Sequence, residues 1–92
     1  MADILVVDDD ASVAGALRRF LDSEGHKSRV VNGVAEGLAA IERQRPDLVM
    51  MDIRMPGIDG LAGLDQMQAK YPGLCIVMMT GYGTSQTSID AM

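Results

Sequence analysis

The sequence has few of the residues that form disulfides, zinc sites or nucleic-acid surfaces. It contains one cysteine and one histidine in 92 residues, which is too few for an internal disulfide or a zinc site. Tryptophan is absent, and two tyrosines and one phenylalanine are the aromatic residues, so the core must be aliphatic. The net charge is −5 and no basic run occurs, which argues against nucleic acid as a direct partner.

Long apolar runs and targeting signals are missing as well. No stretch approaches the ~20 apolar residues that a membrane-spanning helix needs. The first residues lack the basic region of a signal peptide. The lone Cys75 lies in an apolar run, where we expect a buried thiol in a reducing compartment, the cytoplasm. His26 follows Gly25 in a predicted turn and is expected at the surface.

The residues that are present indicate one small α/β domain. Hydrophobic residues make up 48% of the chain, and eight methionines are available to fill the core. Short apolar runs alternate with helical patterns, which is typical of βαβ units and a parallel sheet. We expect strands at about residues 3–7, 27–31, 47–51 and 74–79. Polar side chains in the second run, such as Lys27 and Arg29, indicate an edge strand.

Helical patterns separate these strands. The first is expected to bury a face that ends near Gly25, a C-terminal capping residue. The second follows Asn32, a candidate N-cap, and must stop before Pro46. The third begins near Asp59 and Gly60 and stops before residues 72–73. A last helix is expected from Thr84 or Ser85. The predicted buried face of the first helix consists of Val13, Leu17, Phe20 and Leu21.

The fourth apolar run predicts that the fold continues beyond this sequence. Its six consecutive apolar residues are typical of a strand buried on both faces, yet no later strand is available to pair with it. We therefore expect at least one strand and one helix to be missing. An exposed apolar edge is a template for association, so the chain is expected to self-associate, including by exchange of strands or helices.

Acidic residues follow two of the predicted strands at the point where each strand ends. The first runs into Asp8, Asp9 and Asp10, the third into Asp52, and the fourth into Thr80. Because the carboxyl ends of parallel strands meet at one edge of the sheet, these groups should form one cleft. Carboxylates a few ångströms apart raise one another's pKa, so a hard divalent cation is expected among them.

Each of these residues has a structural and a functional interpretation. Asp9 is expected to ligate the metal directly and Asp8 through water, whereas Asp10 is expected to cap the first helix. Asp52 could ligate metal only, or it could also attack phosphorus and form an acyl phosphate. Thr80 can donate a hydrogen bond to a phosphoryl oxygen. The loop at residues 54–57 can offer a carbonyl to the metal, and Asp59 is expected to cap the third helix.

Three segments resemble the receiver domain of bacterial two-component response regulators. They are residues 6–10, residues 52–60 with the pattern Asp-x-x-Met-Pro-x-x-Asp-Gly, and residues 79–83. The similarity is collinear over residues 1–92 and implies a flavodoxin-like (CheY-like) doubly wound parallel sheet in strand order 2-1-3-4, with the fifth βα unit missing. Residues 80–92 are similar to receivers attached to AAA+ transcription activators of the nitrogen-regulation type.

The resemblance implies a phosphorylation-controlled switch in phosphorelay signal transduction, not an enzyme acting on a separate substrate. Asp52 would accept a phosphoryl group from a sensor histidine kinase and regulate an attached output domain, with transcription as the output. Mg²⁺ would be held by Asp9, Asp52 and the Arg54 carbonyl, with Asp8 acting through water. Thr80 would contact the phosphoryl group. Such a phosphoprotein would be cytoplasmic.

The sequence also departs from the receiver pattern. Receivers have a lysine and an aromatic switch residue on a fifth strand, and neither is found in these 92 residues; Lys70, at the end of the third helix, is no substitute. We therefore expect weak Mg²⁺ binding and poor or absent phosphotransfer by this chain alone.

Two other functions stay open at this point. Asp8-x-Asp10-x-Ser12 after a strand, with Thr80 after the fourth, resembles the haloacid-dehalogenase-type phosphohydrolases, in which Asp8 would be the nucleophile. A pseudo-receiver would instead keep the fold as an interaction module without phosphorylation.

Overall fold

The computed structural model describes residues 1–52 and 60–79, in which strands and helices alternate. The elements are β1 (Asp3–Val7), α1 (Ala11–Ser23), β2 (Lys27–Val31), α2 (Val34–Arg43), β3 (Leu48–Asp52), α3 (Gly60–Lys70) and β4 (Ile76–Met79). The predicted bounds of β1 and β2 are confirmed, whereas β3 begins and ends one residue later than expected and β4 begins two residues later. The helix expected from Thr84 or Ser85 lies outside the described residues.

The four strands form one parallel sheet in the order β2-β1-β3-β4, as the resemblance to receiver domains implied. Val7 pairs with Val31 on one side and with Met51 on the other, and Asp52 pairs with Met79. The ends of β1 and β3 are therefore level with each other. Strand β2 lies at one end of this order and is therefore an edge strand. Its polar side chains are tolerated there because one side of the strand faces solvent.

Alternate residues of the strands divide the core between the two faces of the sheet. The face covered by α2 and α3 contains the larger cluster, in which Leu5, Met51 and Met67 are fully buried. The other face is covered by α1 and contains Ile4 and Val6. Burial of a side chain of this size contributes roughly 1.5–3 kcal/mol. These contacts fix the frame from which the loops at the strand ends project.

Two glycines allow the helices to approach this frame closely. A Cβ atom on Gly63 of α3 would lie 2.6 Å from Cγ2 of Val34 in α2, and one on Gly37 would lie 2.9 Å from Cε of Met67. Both distances are shorter than side chains tolerate, so the absence of a side chain at these positions sets the spacing between α2, α3 and the sheet.

Helix α1 has the two caps that the sequence predicted. At its start, Oδ1 of Asp10 accepts hydrogen bonds from the backbone N–H groups of Ser12 (2.9 Å) and Val13 (3.2 Å). At its end, Gly25 adopts φ +84° while its N–H and that of His26 donate to the last turn of the helix. This pair of bonds is the Schellman motif, for which glycine is the favoured residue.

The predicted buried face of α1 is wrong at two positions. Val13 is 40% exposed and Phe20 is 58% exposed, whereas the buried residues of the helix are Ala14 and Leu21. Successive helical residues are turned by ~100° from each other. A set of residues shifted by one position along the helix therefore keeps the helical spacing but lies on a different face of the helix.

Three further local predictions need correction. Cys75 is exposed rather than buried. It precedes β4 and lies two residues before Val77, so both side chains point to the same side of the sheet, where Val77 is 42% exposed. Gly33, not Asn32, is the N-cap of α2, and no side chain caps that helix. His26 is half-buried, since its Nδ1 accepts a hydrogen bond from the backbone N–H of Ala2 at 3.0 Å.

Candidate functional site

Three of the predicted site residues meet at the carboxyl ends of β1 and β3. Asp8 and Asp9 follow the last residue of β1, and Asp52 is the last residue of β3. Because Val7 is in register with Met51, the residue after each lies at the same level of the sheet. One carboxylate oxygen from each of Asp8, Asp9 and Asp52 lies within 4.8 Å of the other two.

The Asp8 carboxyl group is the most deeply buried of the three. Its residue is 2% exposed, its backbone N–H donates to the carbonyl of Val31 at 3.1 Å, and its Oδ1 accepts the backbone N–H of Asp10 at 2.9 Å. Burial raises the pKa of Asp8, the bond from Asp10 opposes this shift, and the charge of Asp52 raises the pKa further, followed by smaller effects of Asp9 and Asp10. A negative charge at Asp8 is therefore disfavoured until a cation offsets it.

Asp9 and Asp52 differ in their access to solvent. Asp9 is exposed, while Asp52 is 5% exposed at the end of a strand whose other residues are largely buried. Side chains of consecutive residues point in different directions in extended backbone, so Asp8 and Asp9 reach the cluster from different sides. The site thus has two buried carboxylates and one at its mouth.

The donor set of this cluster fits a hard divalent cation. All three side chains offer carboxylate oxygens, the ligands that Mg²⁺ and Ca²⁺ prefer, and the oxygens are close enough to share one ion. The burial and mutual repulsion that raise the pKa of Asp8 are effects that a bound cation would offset. These carboxylates are therefore the described residues that could hold a metal.

The other predicted site residues lie outside the part of the chain that the structure describes. Arg54, with its carbonyl, and Thr80 are among them, as is Asp59, the expected cap of α3. Asp10 lies beside the cluster, but its carboxylate oxygen caps α1 as predicted.

One feature of the site was missed by sequence reasoning, namely the hydrogen bond from the backbone of Asp10 to the side chain of Asp8. An aspartate that accepts the N–H of the second residue after it forms an Asx turn. Asp10 repeats the pattern with Ser12. The signal from which both turns could have been predicted is the placement of Asp8 and Asp10 between the end of a strand and the start of a helix, because aspartate favours such turns.

Comparison with known proteins identifies the family of this chain. Residues 4–92 match the family model described as "Response regulator receiver domain". The chain belongs to the response regulator receiver family.

Relatives among curated proteins include transcription regulators. The chain is 38% identical over 88 residues to the DNA-binding transcriptional regulator NtrC of Escherichia coli, a match that covers 96% of this chain and 19% of NtrC. It therefore spans about a fifth of the length of the curated relatives that it matches. The similarity to receivers of the nitrogen-regulation activators is confirmed.

Solved receiver structures share the fold. The receiver domain of NtrX from Brucella abortus is 40% identical and superimposes with a TM-score of 0.85 over 97% of this chain and 76% of that one. The response regulator TrrA from Thermotoga maritima, solved in complex with Mg²⁺-BeF, is 33% identical with a TM-score of 0.83, covering 99% of this chain and 81% of TrrA. None of the helices in residues 1–52 and 60–79 is long and apolar enough to cross a membrane.

Proposed function

We propose that this chain is the phosphoacceptor part of a signalling switch in which Asp52 receives a phosphoryl group. The observation that supports this proposal best is the convergence of Asp8, Asp9 and Asp52 within 4.8 Å at the carboxyl ends of two parallel strands. Membership of the receiver family supports the same chemistry.

The proposed cation is Mg²⁺, held by Asp9, Asp52 and the backbone carbonyl of Arg54, with Asp8 acting through water. When bound, it would neutralise carboxylate charge and bring phosphoryl oxygens to the site. Asp8 contributes from a fixed position, since its side chain and backbone are both hydrogen-bonded. A relative solved with Mg²⁺-BeF supports the choice of metal.

In the proposed reaction, a carboxylate oxygen of Asp52 attacks the phosphorus of a phosphohistidine. The new oxygen–phosphorus bond forms as the nitrogen–phosphorus bond breaks, and the electron pair returns to the imidazole nitrogen, which takes up a proton. The product is an acyl phosphate on Asp52. The rigid end of β3 holds the attacking oxygen in place, and phosphoryl transfer depends mainly on such positioning. Thr80 is proposed to donate its hydroxyl to the transferred group.

The proposed partners follow from this chemistry and from the relatives. A sensor histidine kinase supplies the phosphoryl group, and an output domain elsewhere in the parent protein responds to it. Because the relatives include transcription regulators, we propose transcription regulation as the output and the cytoplasm as the location. The complete receiver is proposed to act as a switch that catalyses only its own phosphorylation and dephosphorylation.

We further propose that residues 1–92 are an incomplete receiver, an interpretation supported by their coverage of 76% of the Brucella receiver chain. The test is intact-mass measurement with acetyl phosphate and Mg²⁺ on this chain and on a version extended by the residues that follow in the parent protein. We expect only the extended version to gain the mass of one phosphoryl group, and Asp52→Asn to abolish the gain.

Stoichiometric phosphorylation of the 92-residue chain would contradict the proposed incompleteness. No phosphorylation of either version would instead favour the pseudo-receiver. The phosphohydrolase alternative predicts turnover of a phosphate ester that Asp8→Asn stops and Asp52→Asn spares.

Self-association is the last element of the proposal, and strand β4 supports it. Residues 76–79 contain no charged side chain, and Val77 is 42% exposed on the face that α1 covers only in part. The opposite edge strand β2 contains Lys27 and Arg29, residues of the kind that oppose edge-to-edge pairing. Sedimentation should show association that weakens in Val77→Lys and persists in Val13→Lys, a control of equal exposure. A monomer at high concentration would contradict this element.

A further inference from the structure

Asp10 makes two kinds of contact through two different groups. Its carboxylate oxygen Oδ1 accepts the backbone N–H groups of Ser12 and Val13, at 2.9 and 3.2 Å, and so caps α1. Its own backbone N–H donates to Oδ1 of Asp8 at 2.9 Å. One residue therefore ties the first turn of a helix to a carboxylate of the acidic cluster.

The direction of the Asp10 N–H depends on the conformation of the turn between β1 and α1. The backbone of Asp8 is held from the sheet side, because its N–H donates to the carbonyl of Val31 at 3.1 Å. From the helix side, the cap bonds hold Asp10 in extended backbone, with φ −87° and ψ 106°. The backbone carbonyl of Asp10 also accepts the N–H of Ala14 at 2.9 Å. Loss of the cap bonds therefore weakens the helix-side anchor that aims the Asp10 N–H at Asp8 and leaves this one bond in place.

We propose that Asp10 is a positioning residue for the metal site, which acts by holding the side chain of Asp8. This inference rests on the proposed function, since it assumes that Asp8, Asp9 and Asp52 bind Mg²⁺. Asp10 is not a ligand in this account, because the group of carboxylates whose oxygens lie within 4.8 Å of one another consists of Asp8, Asp9 and Asp52. Thermodynamic coupling is reciprocal. If capping of α1 by Asp10 strengthens Mg²⁺ binding, then Mg²⁺ binding should also stabilise the first turn of α1.

The test compares two variants of equal charge, Asp10→Ser and Asp10→Ala. The full chain of each is titrated with Mg²⁺, and NMR monitors the titration. Serine keeps an oxygen that can cap the helix, whereas alanine has none. Both remove the same negative charge, so electrostatic effects cancel in the comparison. We expect Mg²⁺ to bind roughly tenfold more weakly to Asp10→Ala than to Asp10→Ser, the scale seen when a group that orients a metal ligand is lost.

Ala16→Gly is the matched control for general weakening of α1. Ala16 is exposed within the helix, and glycine there weakens the helix about as much as a lost cap does while leaving the Asp10 bonds in place. We expect its Mg²⁺ affinity to equal that of the wild type. Amide exchange at Ser12 and Val13 should slow on addition of Mg²⁺ in the wild type and in Asp10→Ser, but not in Asp10→Ala.

Equal affinities of Asp10→Ser and Asp10→Ala would overturn the inference while leaving the proposed metal site intact. The same holds if Ala16→Gly loses as much affinity as Asp10→Ala, because any loosening of α1 would then suffice. A wild-type chain that shows no saturable Mg²⁺ binding would overturn the proposed metal site together with this inference.

Discussion

Aspartates at the two ends of the same sheet are in opposite surroundings. At the amino end, Asp3 begins β1 and receives the Arg29 guanidinium, with Nε 3.2 Å from Oδ1 and Nη2 3.3 Å from Oδ2. At the carboxyl end, Asp8 and Asp52 are buried beside Asp9, and burial and neighbouring charge raise the pKa of Asp8. The amino-end acids are matched to donors, while the carboxyl-end acids crowd together.

The amino-end contacts show what a structural role requires. Arg29 also donates to the carbonyl of Gln44 at 3.0 Å, and the side-chain amide of Gln44 donates to Asp3 at 2.9 Å. Asp47, which precedes β3, accepts the backbone N–H of Asp3 at 2.8 Å and donates its own N–H to the carbonyl of Asp3 at 2.7 Å. This network connects β1, β2, α2 and β3. An acid that stabilises the fold is thus surrounded by donors from several elements.

The largest effect on stability is expected from Arg29→Ala. The change removes the cation from part-buried Asp3 and the donors from the last carbonyls of α2, and we expect a loss of about 2 kcal/mol in the free energy of unfolding, since the pair is partly solvated. Urea denaturation measures it. Arg29→Lys, which keeps the charge without the planar fork, should recover only part of the loss. Reduced Mg²⁺ affinity in Arg29→Ala would contradict the claim that the amino-end network does not contribute to the metal site at the carboxyl end.

A smaller effect of opposite sign is expected from Asp8→Asn. The pKa of Asp8 in the folded state is above its ordinary value of 3.8, so the folded protein binds this proton more tightly than the unfolded chain does. Stability therefore falls as the pH rises from about the ordinary value through the folded-state pKa, and this loss persists at neutral pH.

Asp8→Asn removes the ionisable carboxyl group and with it the loss of stability that the wild type undergoes when Asp8 ionises. Without metal at neutral pH, Asp8→Asn should therefore melt at a higher temperature than the wild type. Each 1 kcal/mol gained would raise the melting temperature by roughly 4–8 °C in a domain of this size. Thermal melts across the acid range would measure the effect. Mg²⁺ should raise the melting temperature of the wild type more than that of the variant. A variant that is less stable than the wild type at neutral pH would contradict the account.

The smallest effect is expected from Gln44→Ala. This exposed side chain gives Asp3 one hydrogen bond, whereas the Arg29 contacts with Asp3 and with the Gln44 backbone carbonyl do not need it. We expect a loss of about 0.5–1 kcal/mol and unchanged Mg²⁺ affinity, measured as for Arg29→Ala. A loss equal to that of Arg29→Ala would indicate that the network depends on Gln44 rather than on the guanidinium.

Local signals made much of the fold predictable. Alternating apolar runs gave β1 and β2, polar residues in β2 identified an edge strand, and the caps of α1 followed from Asp10 and Gly25. The meeting of Asp8 and Asp52 followed from the expectation that β1 and β3 are parallel neighbours, which they are.

Non-local features were not predictable in the same way. The Arg29–Asp3 pair joins residues 26 positions apart, and no short pattern indicates it. The exposure of Phe20 and Cys75 depends on which elements cover each face of the sheet, which the hydrophobicity of a residue does not report. The sequence therefore predicts elements and their order better than it predicts side-chain surroundings.

The most direct test of the difference between the amino and carboxyl ends of the sheet uses the wild type, Asp52→Asn and Asp3→Asn. Each protein is titrated with Mg²⁺ while NMR monitors binding, and urea denaturation measures its stability. We predict saturable binding to the wild type, binding more than tenfold weaker in Asp52→Asn, and wild-type affinity with reduced stability in Asp3→Asn. Equal loss of affinity in both variants, or no saturable binding to the wild type, would contradict the assignment of a metal site to the carboxyl end and a structural role to the amino end.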